Sequence, residues 1–464
     1  MTGDRRWTLL VVCLATGVLL LNVSAPSVAL PAVGRGLGAE LGVLQWVVSG
    51  YSLALAATLL TAGTLADLVG RRRMFLGGLA SFAAASLLCA AAPSATALIA
   101  GRAAQGLAGA VLLSSSLALL AQAFTGPSRA GAIGIWGATV AAAFAIGPLE
   151  GGLLTEGLGW RAIFALDAAV ALACLPVAVR RLRESRDPDA EGVDWWGTAT
   201  LSVGLFLGVF ALTRGNVAGW GSGPILASAA GAALLLGAFV VVERREREPM
   251  LDLHLFTIPT FTGASVVVLV MAASTFGPFL YLTLFLLDGA GTSPTEVGLQ
   301  LLPLSVAALV VSLLRGRYAR VLPVRAALPA GLLLCAAGLL AMRGLEASSP
   351  WTVLLPGLLI MGVGIGLSNP SVTYAALGVV PATRSGMASG VSNTFRQVGI
   401  ALGIAVLGIL LPARIDGDPA AFADALHRIL LVSAGAAAAG AALAVLLVRQ
   451  RDFVVDPVPA GQRA

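Results

Sequence analysis

Gly63-Thr64-Leu65-Ala66-Asp67-Leu68-Val69-Gly70-Arg71-Arg72-Arg73 is the stretch on which the reading of this chain turns. It joins two long apolar runs, about 42–66 and 73–93, with almost no room for a loop between them. Gly63 lets a neighbouring helix approach closely, and Gly70 permits the tight turn the joint needs. Asp67, at the end of the first run, can pair with an arginine or with a neighbouring helix terminus. Three consecutive arginines then mark one face of whatever the apolar runs cross.

What they cross follows from composition. Of 464 residues, 58% are hydrophobic and 11% are charged, against about 25% charged in a soluble protein. So few charges cannot cover the surface of a water-soluble protein of this size, which argues against a cytosolic enzyme. All 29 basic residues are arginine. Without lysine there is no Walker A phosphate loop and no Schiff-base chemistry, and an exporter driven by its own ATPase is excluded. His254 and His427 are too far apart for a His-x-x-x-His zinc site. Cys13, Cys89, Cys174 and Cys335 lie singly in apolar stretches and read as buried thiols. No cofactor and no metal are expected. The net charge of +6 does not point to nucleic acid, because the arginines sit beside apolar runs.

A membrane-crossing helix needs about 20 mostly apolar residues. Fourteen stretches qualify, at about 7–31, 42–66, 73–93, 97–123, 130–153, 160–180, 193–213, 223–242, 258–287, 296–315, 325–342, 351–374, 387–411 and 427–448. The joints are too short for a soluble domain, and Met1 to Pro31 is too long an apolar opening for a secretory signal. With the N-terminus inside, 21 arginines fall on the cytoplasmic side, at 5–6, 71–73, 129, 180–186, 244–247, 315–325, 384 and 449–463. Six fall outside, at Arg35, Arg161, Arg214, Arg343, Arg414 and Arg428. That bias predicts two cytoplasmic termini, as an even span count requires. Glu184, Asp187, Glu243 and Glu246, interleaved with arginines, read as solvated cytoplasmic joints.

With these residues in view, the 63–73 stretch resembles the signature between the second and third helices of the major facilitator superfamily. There it acts as a conformational latch, and the resemblance implies that role for Gly63, Asp67, Gly70, Arg71, Arg72 and Arg73. Further motifs resemble the fourteen-span drug:proton antiporters of that superfamily. They are Asn22-Val23-Ser24-Ala25-Pro26-Ser27-Val28-Ala29-Leu30-Pro31 in the first helix and Arg102-Ala103-Ala104-Gln105-Gly106-Leu107-Ala108-Gly109 in the fourth. The fifth-helix antiporter motif Gly147-Pro148-Leu149-Glu150-Gly151-Gly152 follows, with Gly159-Trp160-Arg161 and Phe164 opening the sixth. Ser389-Gly390 and Arg396-Gln397-Val398-Gly399 echo the thirteenth. One departure stands out. The family carries an aspartate where this chain has Asn22, and an asparagine in the sixth helix where it has Asp167. The pairing suggests that the acid has moved from helix one to helix six.

Ionisable groups inside a bilayer cost several kcal/mol unless they face a cavity or a partner. Arg102, Glu150 and Asp167 fall at comparable depth in the outer half of the expected spans, with Asn22 beside them. They are the candidates for proton coupling (Glu150, Asp167, Arg102) and for the substrate cavity (Asn22), although Glu150 also reads as an interfacial residue. Arg396 is the buried charge of the other half. Span twelve carries Gly362, Gly364 and Gly366 but Leu358 where span four has its arginine. Phe276, Phe279 and Tyr281 read either as packing or as the lining of an aromatic drug pocket.

The expected fold is an all-α polytopic membrane protein with fourteen transmembrane helices. It comprises a six-helix bundle over 1–185, two inserted helices and their joints over 186–250, and a second six-helix bundle over 251–464. The expected function is monomeric, non-enzymatic export of hydrophobic drugs or antibiotics in exchange for protons, by alternating access across a bacterial plasma membrane. A facilitator for one small metabolite shares the fold and is opposed only by the Gly147-Pro148 motif. A membrane-embedded transferase would need an Asp-Asp-x-x-Asp metal cluster, which no apolar segment contains.

Overall fold

A computed structural model describes residues 3–124, 127–186, 192–246, 249, 251–289, 291–317, 322–345, 349–380, 385–411 and 419–453. The first half holds α1 (Gly3–Leu37), α2 (Leu41–Val69), α3 (Arg71–Ala90), α4 (Ala95–Ala123), α5 (Pro127–Leu158) and α6 (Arg161–Arg181). Next come α7 (Trp195–Ala218) and α8 (Gly223–Arg245). The second half holds α9 (Pro259–Leu284), α10 (Pro294–Arg317), α11 (Val324–Ala341), α12 (Leu355–Leu377), α13 (Ser385–Gly408) and α14 (Pro419–Leu447). A single π-helical turn, Phe285–Gly289, extends α9. Among the described residues there is no β-strand.

Each of the fourteen apolar stretches falls on its own helix, and the largest discrepancy is α14, which begins at Pro419 rather than 427. Among the described residues, twelve of these helices are long and apolar enough to cross a membrane. The two outside that set are α5, several of whose side chains lie outside the described residues, and α13. The latter is interrupted by Ser389, Ser392, Asn393, Thr394, Arg396 and Gln397. Arg247, Arg320, Arg384, Arg414 and Arg463, and the side chains of Arg129, Arg315 and Arg317, also lie outside the described residues.

The halves repeat one packing pattern. In the first, α1 packs on α5 and α6, α4 on α2 and α3, and α3 on α6. In the second, α9 packs on α13 and α14, α12 on α10 and α11, and α11 on α14. Each partner in the second list is the helix eight places later than its counterpart in the first. The halves meet through α2 against α13 and α5 against α10, again a symmetric pair of contacts. The helices α7 and α8 lie antiparallel to one another, and α7 leans on α2 and α13. Only Ile225, Ala232, Phe239 and Glu243 of α8 are buried, and Leu234 is 73% exposed. An apolar helix that exposes leucine on most sides suits a lipid-facing position.

Short, well-capped joints hold these helices in register. Ser94 caps α4 by accepting the Ala97 amide, and Asp194 caps α7 by accepting the Gly197 amide. Proline opens α8, α9 and α12, where the missing amide costs nothing.

Candidate functional site

Among the described residues, the largest fully buried side chain is that of Arg102 on α4. Its Nε donates to the Val47 carbonyl of α2 at 2.8 Å, and one terminal nitrogen donates to Asn22 Oδ1 and Gln105 Oε1, each at 2.9 Å. The other donates to the Asn22 carbonyl at 2.9 Å. That carbonyl is available for a local reason. Pro26, four residues on, has no amide to offer it, so α1 presents an orphan acceptor that a guanidinium can satisfy. The guanidinium also lies 4.2 Å from the ring centroid of Tyr51, which is itself pinned by a 2.7 Å bond to the Leu19 carbonyl. Gln105 passes the network on to Ser86 of α3 at 2.7 Å.

Asp167 of α6 faces this cluster and is 2% exposed. With Asn22 Oδ1 turned to Arg102, the Asn22 amide nitrogen donates to the Val18 carbonyl at 3.4 Å, and its second hydrogen is the one left for the nearby Asp167 carboxyl. The other oxygen, Asp167 Oδ2, has no donor. Glu150 of α5 is half-buried, its Oε2 also lacks a donor, and it is close enough to interact electrostatically with Asp167. Asn22, Arg102 and Asp167 thus form one site, with Glu150 at its edge. Gln105 and Tyr51 complete it. Gln105 sits one helical turn from Arg102 inside the motif already quoted, whereas nothing in the local sequence marks Tyr51.

The remaining candidates lie elsewhere. Arg396 hydrogen-bonds Asn369 of α12 in the second half. Phe276 and Phe279 are partly buried against the core. Tyr281 is fully buried, accepts from Gln45 of α2 at 3.0 Å and donates to the Ile404 carbonyl. It ties helices of the two halves together instead of facing a cavity.

The 63–73 joint is held as its residues suggest. Asp67 pairs with Arg71 at 2.8 Å, one turn apart. Gly70 has φ +119°, a conformation L side chains rarely adopt. The backbone amides of Arg72 and Arg73, at the start of α3, donate to the two carboxylate oxygens of Glu184 at 3.0 and 3.2 Å. A carboxylate on free amides at a helix start is favoured by hydrogen bonding and by the helix dipole. Glu184 is therefore part of this joint and not merely a solvated residue. Glu243 likewise departs from expectation, being 3% exposed. A side chain at Gly70 would strike the Glu184 carboxylate 2.6 Å away. Gly70→Ala is thus expected to lower stability by about 1–3 kcal/mol, read from the thermal unfolding midpoint. Glu184→Ala should recover part of that loss in the double variant.

Polar contacts between the halves gather at the end of the molecule away from the termini. Arg35 of α1 pairs with Asp288 at 3.9 Å, and Gln45 meets Tyr281. Glu156 of α5 accepts the Thr295 amide of α10 at 3.2 Å. Hydrogen bonds from the hydroxyl and amide of Thr295 hold the Glu156 carboxyl below the usual carboxylate range. The glycine motif of α5 serves both sides of this region. Gly147 and Gly151 abut Ser24 and the Ala25 backbone of α1, while Gly152 abuts the Pro294 carbonyl of α10. Pro148 sits between them within α5. Near the termini, by contrast, described ion pairs stay within one half, as with Asp4 to Arg181 at 3.0 Å.

Comparison with known proteins follows the same lines. The Major Facilitator Superfamily profile matches residues 12–404. The chain is 35% identical over 428 residues to a tetracenomycin C resistance and export protein of Streptomyces glaucescens, covering 91% of this chain and 79% of that one. It is 36% identical over 414 residues to the multidrug resistance protein Stp of Mycobacterium tuberculosis, covering 89% and 77%. In fold it is similar to an inward-facing, unoccupied bacterial homologue of the human lysosomal transporter Spinster, with a TM-score of 0.69 at 18% identity over 98% of this chain and all of that one.

Proposed function

The chain belongs to the Major Facilitator Superfamily, and we propose that this multi-pass membrane transporter exports hydrophobic drugs or antibiotics in exchange for protons. The observation that carries the reading is a buried acid, Asp167, beside Arg102 and Asn22, with one carboxylate oxygen lacking any donor. An acid held there can take up a proton that answers the orphan oxygen and can release it when water or substrate enters. Arg102 sets the balance by offering the ionised form a counter-charge. A proton moving down the membrane potential gains about 2.3 kcal/mol per 100 mV, enough to drive appreciable accumulation of a second solute.

In this reading all fourteen helices cross the bacterial plasma membrane with both termini cytoplasmic, α5 and α13 included. The bodies that move are the bundles at 1–185 and 251–464, with the pair at 186–250 inserted between them. The contacts at Arg35–Asp288, Gln45–Tyr281 and Glu156–Thr295 support a state closed on the outside and facing inward. The 63–73 joint is the latch at the cytoplasmic face, and the protein works as a monomer. Phe276 and Phe279 are the aromatic candidates for the substrate path.

Proteoliposomes with an imposed pH gradient test the coupling. The wild type should accumulate a hydrophobic dye or antibiotic against its gradient, and a protonophore should abolish that uptake. Asp167→Asn should leave substrate binding intact and lose gradient-driven accumulation. Wild-type coupling in that variant would refute Asp167 as the titrating acid. Equal exchange in both directions without a proton gradient would favour a metabolite facilitator instead.

A further inference from the structure

A second pair of carboxyl groups lies far from Arg102, where the inserted helices α7 and α8 come together at the end of the molecule that carries the termini. Asp194 is the N-cap of α7, and its Oδ1 accepts the Gly197 amide at 2.6 Å. On the last turn of α8, Glu243 accepts the Leu251 amide through Oε2 at 3.1 Å. Both residues are buried, at 6% and 3% exposed. Each has one oxygen left over, Asp194 Oδ2 and Glu243 Oε1, and neither of these has a donor. The two orphans occupy one spot. A side chain added at Gly197 would run into both, and the two carboxyl groups lie within hydrogen-bonding reach of each other.

Among the described residues the surroundings supply no cation. Arg244 and Arg245 are exposed and form no ion pair among the described residues, and the nearby charge at the end of α8 is a third carboxylate, Glu246. From α2 the facing polar group is Thr61, bonded to Thr198 of α7 at 2.6 Å. The loop beyond Leu251 offers Asp252, which caps the His254 amide. Phe239, one turn before Glu243, and Leu251, whose amide Glu243 holds, belong to an apolar cluster with Leu255, Val380, Ala388 and Val391.

We propose that Asp194 and Glu243 share one proton, forming a proton-binding site in the inserted helix pair that is separate from the Arg102 site. Two ionised carboxylates so close in a buried pocket repel each other, whereas one proton turns two orphan acceptors into a donor and an acceptor. The proton also has a mechanical consequence. Glu243 holds the Leu251 amide, and Leu251 belongs to the cluster that joins α8 to α9 and α13. Loss of the proton drives the carboxyls apart and loosens the inserted pair from the second half. The pair thereby senses pH at the end of the molecule where the termini lie.

The test uses the full chain in lipid nanodiscs, with the thermal unfolding midpoint followed against pH. Unfolded carboxyls ionise near about pH 4. A proton retained in the fold above that point makes stability fall as pH rises, until the folded pair releases it. The wild type should show this fall. Glu243→Gln should flatten part of it, because the amide donates to Asp194 at every pH, and Asp194→Asn should do the same. The same two substitutions should flatten the fall further in an Asp167→Asn background, which separates this site from the proposed coupling site. An unchanged pH slope in both variants would overturn the proposal. So would stabilisation by sodium or magnesium that Glu243→Gln removes, since the ligand would then be a metal cation. Each amide matches the shape of a protonated acid, so failure of both variants to fold would also count against a shared proton.

Discussion

Arg102→Ala is expected to abolish export and to cost about 3–5 kcal/mol of stability, the usual penalty for removing one partner from a buried charged network. Four hydrogen bonds disappear at once, to Val47, Gln105 and both the side chain and carbonyl of Asn22. The damage extends beyond the lost contacts. Pro26 cannot supply an amide to the Asn22 carbonyl, so that acceptor becomes buried and unpaired, as does Gln105 Oε1 apart from a weak thiol contact from Cys89 at 3.5 Å. Asp167 meanwhile loses its nearest counter-charge. Arg102→Lys distinguishes the contributions. Lysine keeps the charge but not the planar fork that reaches three directions. It should therefore recover much of the folded protein, measured by the unfolding midpoint, while transport in proteoliposomes stays far below wild type. Full transport in Arg102→Lys would mean that charge alone matters there.

How much of this was legible in the sequence depends on whether the partners of each residue are local. The 63–73 joint was readable because Asp67, Gly70 and Arg71 act on one another within two helical turns. Asn22, Arg102 and Asp167 lie on three helices, but their depth along the apolar runs placed them at one level, and cost forces buried charge toward partners. The contacts between the halves had no such signal. Gln45 and Tyr281 are 236 positions apart, and nothing in either neighbourhood names the other. Tyr281 consequently read either as packing or as pocket lining, with no sign of its tie to Gln45. Glu184 and Glu243 were hidden by their neighbours. Each sits among arginines and looks solvated, yet one binds the amides that open α3 and the other is sealed beneath the end of α8.

The role of Pro26 shows a further limit. A proline within an apolar helix announces a kink and a missing hydrogen bond. The identity of the group that answers the freed carbonyl comes only from the packing of α4 on α1 and α2. Three polar groups of this chain sit beside such irregularities of the backbone. Arg102 answers Pro26, Glu184 answers the opening of α3 after Gly70, and Asp194 answers the start of α7. Each is a helix end or a helix break where the backbone itself leaves a donor or an acceptor unmet.

The same logic separates two adjacent glycines whose replacement should have opposite outcomes. Gly151 abuts the Ala25 backbone within the first half, whereas Gly152 abuts the Pro294 carbonyl across the contact with α10. Gly151→Val forces apart α1 and α5, which belong to one bundle. It is expected to be destabilising by about 1–3 kcal/mol or more, because a packed interior absorbs extra methyl groups poorly. Gly152→Val places its bulk between surfaces that, in alternating access, must separate in every cycle. Its strain is relieved by opening and not by unfolding. The expected result is a protein of near-normal thermal stability whose end away from the termini is held apart. Spin labels on cysteines at Glu40 and Gly291, with the four native cysteines replaced, should report a longer separation in Gly152→Val than in the parent. Export should fall steeply, because a transporter wedged open toward one side cannot complete its cycle. An unchanged separation together with a large loss of stability would mean that α5 and α10 form a fixed interface, and alternating access about that contact would have to be abandoned.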